Sequence, residues 1–235
     1  MDAETRKNLE RISVATVSMQ LLKRGFRRVA MRGVRPINTP IKSMLGPAYT
    51  LRFIPAREDL SAPEILGSEN YVPRYAIEEV PEGAVLVVDA MGDADTAVLG
   101  DLILERLKAR GAVGVVSDGG VRDAEEAIAV GLPVYCSGPA APAHIVGLAA
   151  GDMNVKIGCG GVAVIPGDII KADGDGVVVI PKHLAAEIAA AGPAQERYER
   201  FAKQKIQQGH PIIGVYPPSP ATQKEYESWT DPEDT

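Results

Sequence analysis

Between residues 5 and 24 the apolar positions Leu9, Ile12, Ala15, Met19 and Leu22 recur every three or four residues, the period of an amphipathic helix. Ser13 and Thr16 interrupt that run with hydroxyls better suited to a helix start than to an interior, and Gly25 ends it. Residues 48–54 alternate and predict a strand closed by Pro55, after which 56–70 read as a polar excursion. The middle of the chain is the most regular. An apolar strand over 84–89 precedes a loop with Gly92, Asp93 and Asp95, then a helix over 101–110 capped by Gly111. A second buried strand follows over 112–116, a helix over 123–130 ended by Gly131, and a third strand over 133–136. Strand, helix, strand, helix, strand with short Gly-containing connections predicts right-handed parallel crossovers. In such sheets the loops at the carboxyl ends of strands, here after Val88 and after Val116, build the ligand site.

Beyond Pro139 the pattern turns antiparallel. Apolar runs over 161–166 and 176–181 are separated by turn residues at Gly167-Asp168 and Asp173-Gly174-Asp175-Gly176. A helix from Lys182 is expected to break at Gly192-Pro193, with a second running to about Gln208. From Tyr216 onward Pro217, Pro218, Pro220 and Pro232 stand among polar residues, which predicts an extended or disordered arm. The expected organisation is one domain over 1–209 and a Pro-rich tail over 210–235, with no internal repeat.

Composition narrows the class. Hydrophobic residues make up 46% of the 235 and aromatics only 5%, so the core must be built from Val, Ile, Leu and Ala. The net charge of −6 and the lack of a basic block give no electrostatic footing for a nucleic-acid partner. The cations of 27–44 (Arg27, Arg28, Arg32, Arg35, Lys42) read as a solvated face or an anion-facing loop. Cys136 and Cys159 are too few for a disulfide framework and read as buried thiols of a reducing compartment. Met1-Asp2-Ala3-Glu4 has no apolar signal core, and no apolar run approaches the ~20 residues of a membrane span. A cytoplasmic protein without membrane contact is the expectation.

Most local motifs dissolve on inspection. His144, His183 and His210 are far apart in sequence and read as structural or exposed. Gly158-Cys159-Gly160-Gly161 precedes a strand instead of opening a helix, so it is not a dinucleotide fingerprint. Two helix starts survive. At Gly100-Asp101-Leu102-Ile103 free backbone N–H groups and the helix dipole form a receptor for a carboxylate or phosphate. At Gly119-Gly120-Val121-Arg122-Asp123 glycines let backbone approach a ligand, Arg122 offers a planar donor fork, and Asp123 offers a hard oxygen to a divalent cation. Taken singly, Asp101 and Asp123 are ordinary helix-start acids. Together, at one end of adjacent parallel strands, they point to a small-anion or metal-assisted site.

Gly100-Asp101 with Asp118-Gly119-Gly120-Val121-Arg122-Asp123-Ala124-Glu125-Glu126 resembles the RraA-like family, which includes metal-dependent (class II) 4-hydroxy-4-methyl-2-oxoglutarate aldolases. That group is marked by an Asp, twenty residues, then Arg-Asp, the spacing of Asp101 from Arg122-Asp123 here. The resemblance implies a layered β/β/α domain of the swivelling phosphohistidine-domain type. It would hold a central parallel βαβαβ segment, an antiparallel hairpin and C-terminal helices. It implies Mg²⁺ or Mn²⁺ on Asp123, Asp101 acting through metal-bound water, backbone amides of Leu102 and Ile103 on the pyruvate carboxylate beside Gly100, and Arg122 on the keto or enolate oxygen. The implied reaction is cleavage of a 4-hydroxy-2-oxoacid to pyruvate through an enolate, with oxaloacetate decarboxylation as a side activity. A homotrimer or dimer of trimers is implied as well. Family members that instead bind and regulate a ribonuclease generally lack the first Asp. A sugar-derived 2-oxoacid, read by the stretch 27–42 and by Arg52–Arg57, is the other substrate alternative.

Overall fold

The structure, a computed structural model, describes residues 1–38 and 40–232. The chain divides into two compact units, one of residues 13–185 and one of 1–12 with 186–235.

The larger unit opens with a helix, α2 (Val14–Lys23), preceded in the smaller unit by α1 (Ala3–Arg11). The long periodic run is thus two helices. Ser13 is the cap between them, its hydroxyl accepting from Thr16 N–H at 3.0 Å. The break resets the helical phase. α2 buries Val14, Val17 and Leu21, while Met19 and Leu22, which continued the expected stripe, are 42% and 49% exposed.

The strands are β1 (Arg35–Pro36), β2 (Met44–Pro55), β3 (Val85–Asp89), β4 (Ala97–Leu99), β5 (Gly114–Ser117), β6 (Gly120–Val121), β7 (Val134–Cys136), β8 (Gly138–Pro139), β9 (Leu148–Met153), β10 (Ile157–Cys159), β11 (Val162–Val164), β12 (Ile169–Asp173) and β13 (Gly176–Ile180). The main sheet runs β1-β7-β5-β3-β2-β12-β13, with β9 also on β2. β2, β3, β5 and β7 are parallel, as the crossover pattern requires, and the additions at either side are antiparallel. The sheet is mixed and nearly closed. Val179 N–H donates to Val29 C=O (2.9 Å) and Met31 N–H to Val177 C=O (3.0 Å), and the same segment then runs into β1 at the opposite end of the strand order.

Closure buries both faces, which explains the unbroken apolar runs. Val85 and Val87 face a core with Val116, Tyr135, Ile170 and Val179. Leu86 and Val88 face a second core covered by α3 (Val72–Glu79), α4 (Asp101–Ala109) and α5 (Ala124–Val130) through Ile77, Leu104, Leu107 and Ala127. A fully buried side chain such as Leu104 or Leu107 contributes about 1.5–3 kcal/mol. β12 and β13 form the antiparallel hairpin across the Asp173–Gly176 turn, and β11 pairs with β10.

The smaller unit holds two corrections. α6 (Ala185–Gln207) runs through Pro193 instead of breaking there. Gly192 is needed at that point, because a Cβ would lie 2.5 Å from Ile12 Cδ1. The Pro-rich tail is not simply extended. Ser219 caps a further helix, α7 (Pro220–Glu227), with Pro220 in its first turn where the missing N–H costs nothing. Phe201 of α6, Tyr226 and Trp229 pack ring to ring at 5.4–6.3 Å, and Arg200 grips the fully buried Asp231 at 2.6 Å. Among the described residues no helix is long and apolar enough to cross a membrane.

Candidate functional site

The loops after β3 and β5 do lie side by side, as expected. Asp118 ties them together, accepting from Ala90 N–H (2.7 Å) and Gly160 N–H (3.0 Å). Burial pushes the Asp118 carboxyl up, opposed by those same N–H groups. The site residues, however, leave from a second, three-stranded parallel sheet, β4-β6-β8. Its register pairs Ala97 with Gly120 and Leu99 with Val121, and Arg122 N–H donates to Leu99 C=O at 3.1 Å. Gly100 follows Leu99 and Arg122 follows Val121, so two paired parallel strands, with a bulge between Ala97 and Leu99, deliver both helix starts to one place.

Gly100 is the N-cap of α4 and provides no side-chain cap, leaving the N–H groups of the first turn without a capping side chain. A Cβ on Gly100 would stand 2.9 Å from both Arg122 Cγ and Asp123 Oδ2. Arg122 Nε donates to Asp123 Oδ2 at 3.1 Å, with both side chains partly exposed. Asp123 sits in the left-handed region (φ 54°, ψ 51°) as N-cap of α5 without capping it by its side chain. A non-glycine residue held there costs about 1 kcal/mol, least for Asp and Asn, whose short polar side chains tolerate it. Asp101 is half-buried in the first turn of α4, and its carboxylate makes no hydrogen bond or ion pair among the described residues. Leu102 is 77% exposed and Ile103 is partly buried.

The roles of Gly119 and Gly120 differ from expectation. A Cβ there would lie 2.5 Å from Ala90 Cβ and 2.5 Å from Ala140 Cβ respectively, so the protein's own packing requires them.

Beside this cluster lies a cavity of about 280 Å³ lined by Gly100, Ile103 and Arg122 on one side and by Tyr71, Arg74 and His144 on another. Among the described residues no lysine and no carboxylate lines it, nor does any residue of 27–42 or Arg52–Arg57. Arg52 instead pairs with Asp152, and Arg57 with Asp59 at 2.6 Å. Tyr71, Arg74 and His144 are the polar lining residues that sequence reasoning missed. Tyr71 and His144 are 73 positions apart and lie on segments without periodic signal. Cys136 and Cys159 are both buried and free, and burial pushes the Cys136 thiol up to about 11.

A model of the RraA-like family (Aldolase/RraA) matches residues 14–179, which span both helix starts. The chain belongs to the RraA-like family. Among relatives of this RraA-like chain, a Halalkalibacterium halodurans protein named "Putative 4-hydroxy-4-methyl-2-oxoglutarate aldolase" is 36% identical over 150 residues. That match covers 63% of this chain and 64% of the relative, less than two thirds of the relative's length. The structure of Streptomyces coelicolor RraAS2, described as an unusual member of the RNase ES inhibitor RraA family, superposes with TM-score 0.77 at 35% identity. It covers 86% of this chain and 97% of that one. An uncharacterized protein from Pseudomonas syringae matches with TM-score 0.78 at 26% identity, over 92% and 98% of the two chains.

Class II aldolases imply a divalent metal, and the residues present suit a small hard cation. Asp123 offers a partly exposed carboxylate, and the missing Cβ of Gly100 leaves room beside its Oδ2. Among the described residues no group of three or more His, Cys, Asp or Glu is placed to hold a metal. Mg²⁺ and its like keep several waters and take one or two carboxylates plus substrate oxygens, so so sparse a donor set fits them.

Proposed function

We propose that this chain is a divalent-metal-dependent aldolase that cleaves a 4-hydroxy-2-oxoacid, of the 4-hydroxy-4-methyl-2-oxoglutarate type, to pyruvate. The observation that carries the reading is the convergence of the uncapped α4 start at Gly100, the Arg122 guanidinium and the Asp123 carboxylate within contact of one another. The N–H groups of Leu102 and Ile103 bind the substrate carboxylate at the positive end of α4. Arg122 faces the 2-oxo oxygen and stabilises the charge that develops there as the carbon–carbon bond breaks. Asp123 would hold Mg²⁺ or Mn²⁺, which would supply Lewis acidity at the 2-oxoacid when bound. Asp101 takes up the proton of the 4-hydroxyl, the bonding electrons pass into the pyruvate enolate, and C3 then takes that proton back from Asp101. With no lysine lining the cavity, a Schiff base as electron sink has no support. Oxaloacetate decarboxylation reaches the same enolate and is expected as a side activity.

The test is pyruvate release from 4-hydroxy-4-methyl-2-oxoglutarate and from oxaloacetate with Mg²⁺, then with EDTA, for wild type, Arg122→Ala and Asp123→Ala. Release from neither substrate, or release indifferent to EDTA and to Asp123→Ala, refutes the reading. The expected assembly is a homotrimer or dimer of trimers in the cytoplasm, and light scattering on the eluting protein gives its mass. The likeness to Streptomyces RraAS2 favours a second reading, a non-catalytic ribonuclease-binding regulator. A stable complex with a ribonuclease, together with no pyruvate release, would select it.

A further inference from the structure

The cavity beside Gly100 and Arg122 holds a charge that the proposed chemistry does not use. Among the described residues its lining contains two charged side chains, Arg74 and Arg122, both cations, and no carboxylate. The other titratable groups there are neutral at pH 7. Burial pushes His144 down to about 4 and the Tyr71 phenol up to about 12, so this hydrogen-bonded pair carries no charge. Arg122 has a counter-ion in Asp123, at 3.1 Å.

Arg74 is exposed and sits in the first turn of α3, its backbone N–H donating to Tyr71 C=O at 3.0 Å. Its natural helical partner is Glu78, four residues on, but Arg106 at 2.6 Å and Arg110 at 3.5 Å occupy that carboxylate. Among the described residues the Arg74 guanidinium makes no hydrogen bond or ion pair. Its charge acts on the Tyr71 phenol, opposing the effect of burial there. The wall around it is apolar at Leu66, Pro73, Ile77 and Val98, a low-dielectric surface that focuses the field of an unpaired cation into the cavity. In the proposed pose the substrate's first carboxylate lies at the α4 start and its oxo group at Arg122. A monocarboxylic acid then leaves Arg74 unanswered, whereas a carboxylate on the far half of the substrate meets its planar donor fork.

We infer that Arg74 binds the second carboxylate of a dicarboxylic 4-hydroxy-2-oxoacid, the one beyond the carbon–carbon bond that breaks. It is a specificity-determining residue, selecting dianionic over monoanionic substrates. The inference rests on the aldolase reading above and assigns a residue to the far end of its substrate.

The experiment compares kcat/KM for 4-hydroxy-4-methyl-2-oxoglutarate and 4-hydroxy-4-methyl-2-oxopentanoate in wild type, Arg74→Gln and Arg74→Lys. In the second acid a methyl group replaces the far carboxylate. The two acids differ in intrinsic reactivity, so the readout is how their ratio changes on substitution, where reactivity cancels. Arg74→Gln should lower the dicarboxylate preference about tenfold, the worth of one charge-assisted pair at an exposed cation, mainly through KM. Arg74→Lys keeps the charge without the fork and should lower it only about threefold. A monocarboxylic acid too slow to assay enters as a competitive inhibitor, its inhibition constant standing in for KM. A preference that Arg74→Gln leaves within twofold of wild type overturns the inference. If Arg74→Gln does not fold, an unchanged preference in Arg74→Lys does the same. In either failure wild type still releases pyruvate and the aldolase reading stands. Absence of pyruvate from both substrates overturns the aldolase reading and this inference with it.

Discussion

Replacing Gly100 with Ala probes the site by adding a single methyl group. Gly100 has extended backbone (φ −141°, ψ −170°), which any residue adopts, so the substitution meets no backbone strain. Its Cβ would stand 2.9 Å from Arg122 Cγ and from Asp123 Oδ2, against the 3.4 Å at which ordinary contact begins. Each neighbour must therefore give by about 0.5 Å. The backbones are held, Arg122 N–H donating to Leu99 C=O at 3.1 Å and Asp123 C=O accepting from Ala127 N–H at 2.7 Å, so the shift falls on the two side chains and breaks their mutual geometry. Because a misplacement of ~1 Å in a reacting constellation costs about a hundredfold, half that displacement should cost about tenfold in kcat/KM for pyruvate release. The loss of a good N-cap residue costs about 0.5–1 kcal/mol, or roughly 1–4 °C in melting temperature. A coupled pyruvate assay with Mn²⁺ titration and a thermal melt measure the two effects separately. A kcat/KM within twofold of wild type in a protein that melts normally would refute the claim that Gly100, Arg122 and Asp123 form one site.

Asp123→Gly should melt no lower than wild type, because glycine relieves left-handed strain of about 1 kcal/mol, while pyruvate release falls at least about a hundredfold; retained activity would remove Asp123 from the site. His144 is neutral in the folded protein down to about pH 4, whereas in the unfolded chain it protonates near its ordinary 6.5. Its contribution is therefore present above pH 6.5 and is lost as pH falls toward 4, up to about 3 kcal/mol in all. Melting curves between pH 7 and 4.5 should fall less steeply for His144→Gln than for wild type, and equal slopes would contradict the buried neutral ring. Asp231→Ala removes the fully buried carboxylate that Arg200 holds at 2.6 Å and should lower stability by about 2 kcal/mol. The single tryptophan, Trp229, stands 5.6 Å from Phe201, so its emission should shift red in that variant; an unchanged spectrum would count against the ion pair as the anchor of the C-terminal segment.

What could be read from the chain alone was whatever has a local physical cause. The apolar runs of β3 and β5, the helix periods of α4 and α5, and the left-handed stops at Gly111 and Gly131 each depend on a few adjacent residues, and together they already implied the parallel crossovers. The spacing of Asp101 from Arg122-Asp123 was legible for the same reason. The rest depended on partners distant in sequence. β4, β6 and β8 are two or three residues long and show no periodicity, yet their mutual register is what brings Gly100 against Arg122. The inward face of α2 followed the break at Ser13, which Leu9, Ile12 and Met19 in one stripe concealed. Pro193 stayed inside α6 although the local rule ends a helix there. Gly119 and Gly120 looked like ligand-facing glycines until Ala90 and Ala140 were placed beside them. Tyr71 and His144 acquire meaning only when the fold sets one ring on the other, because a hydrogen bond across 73 residues leaves no trace in either neighbourhood.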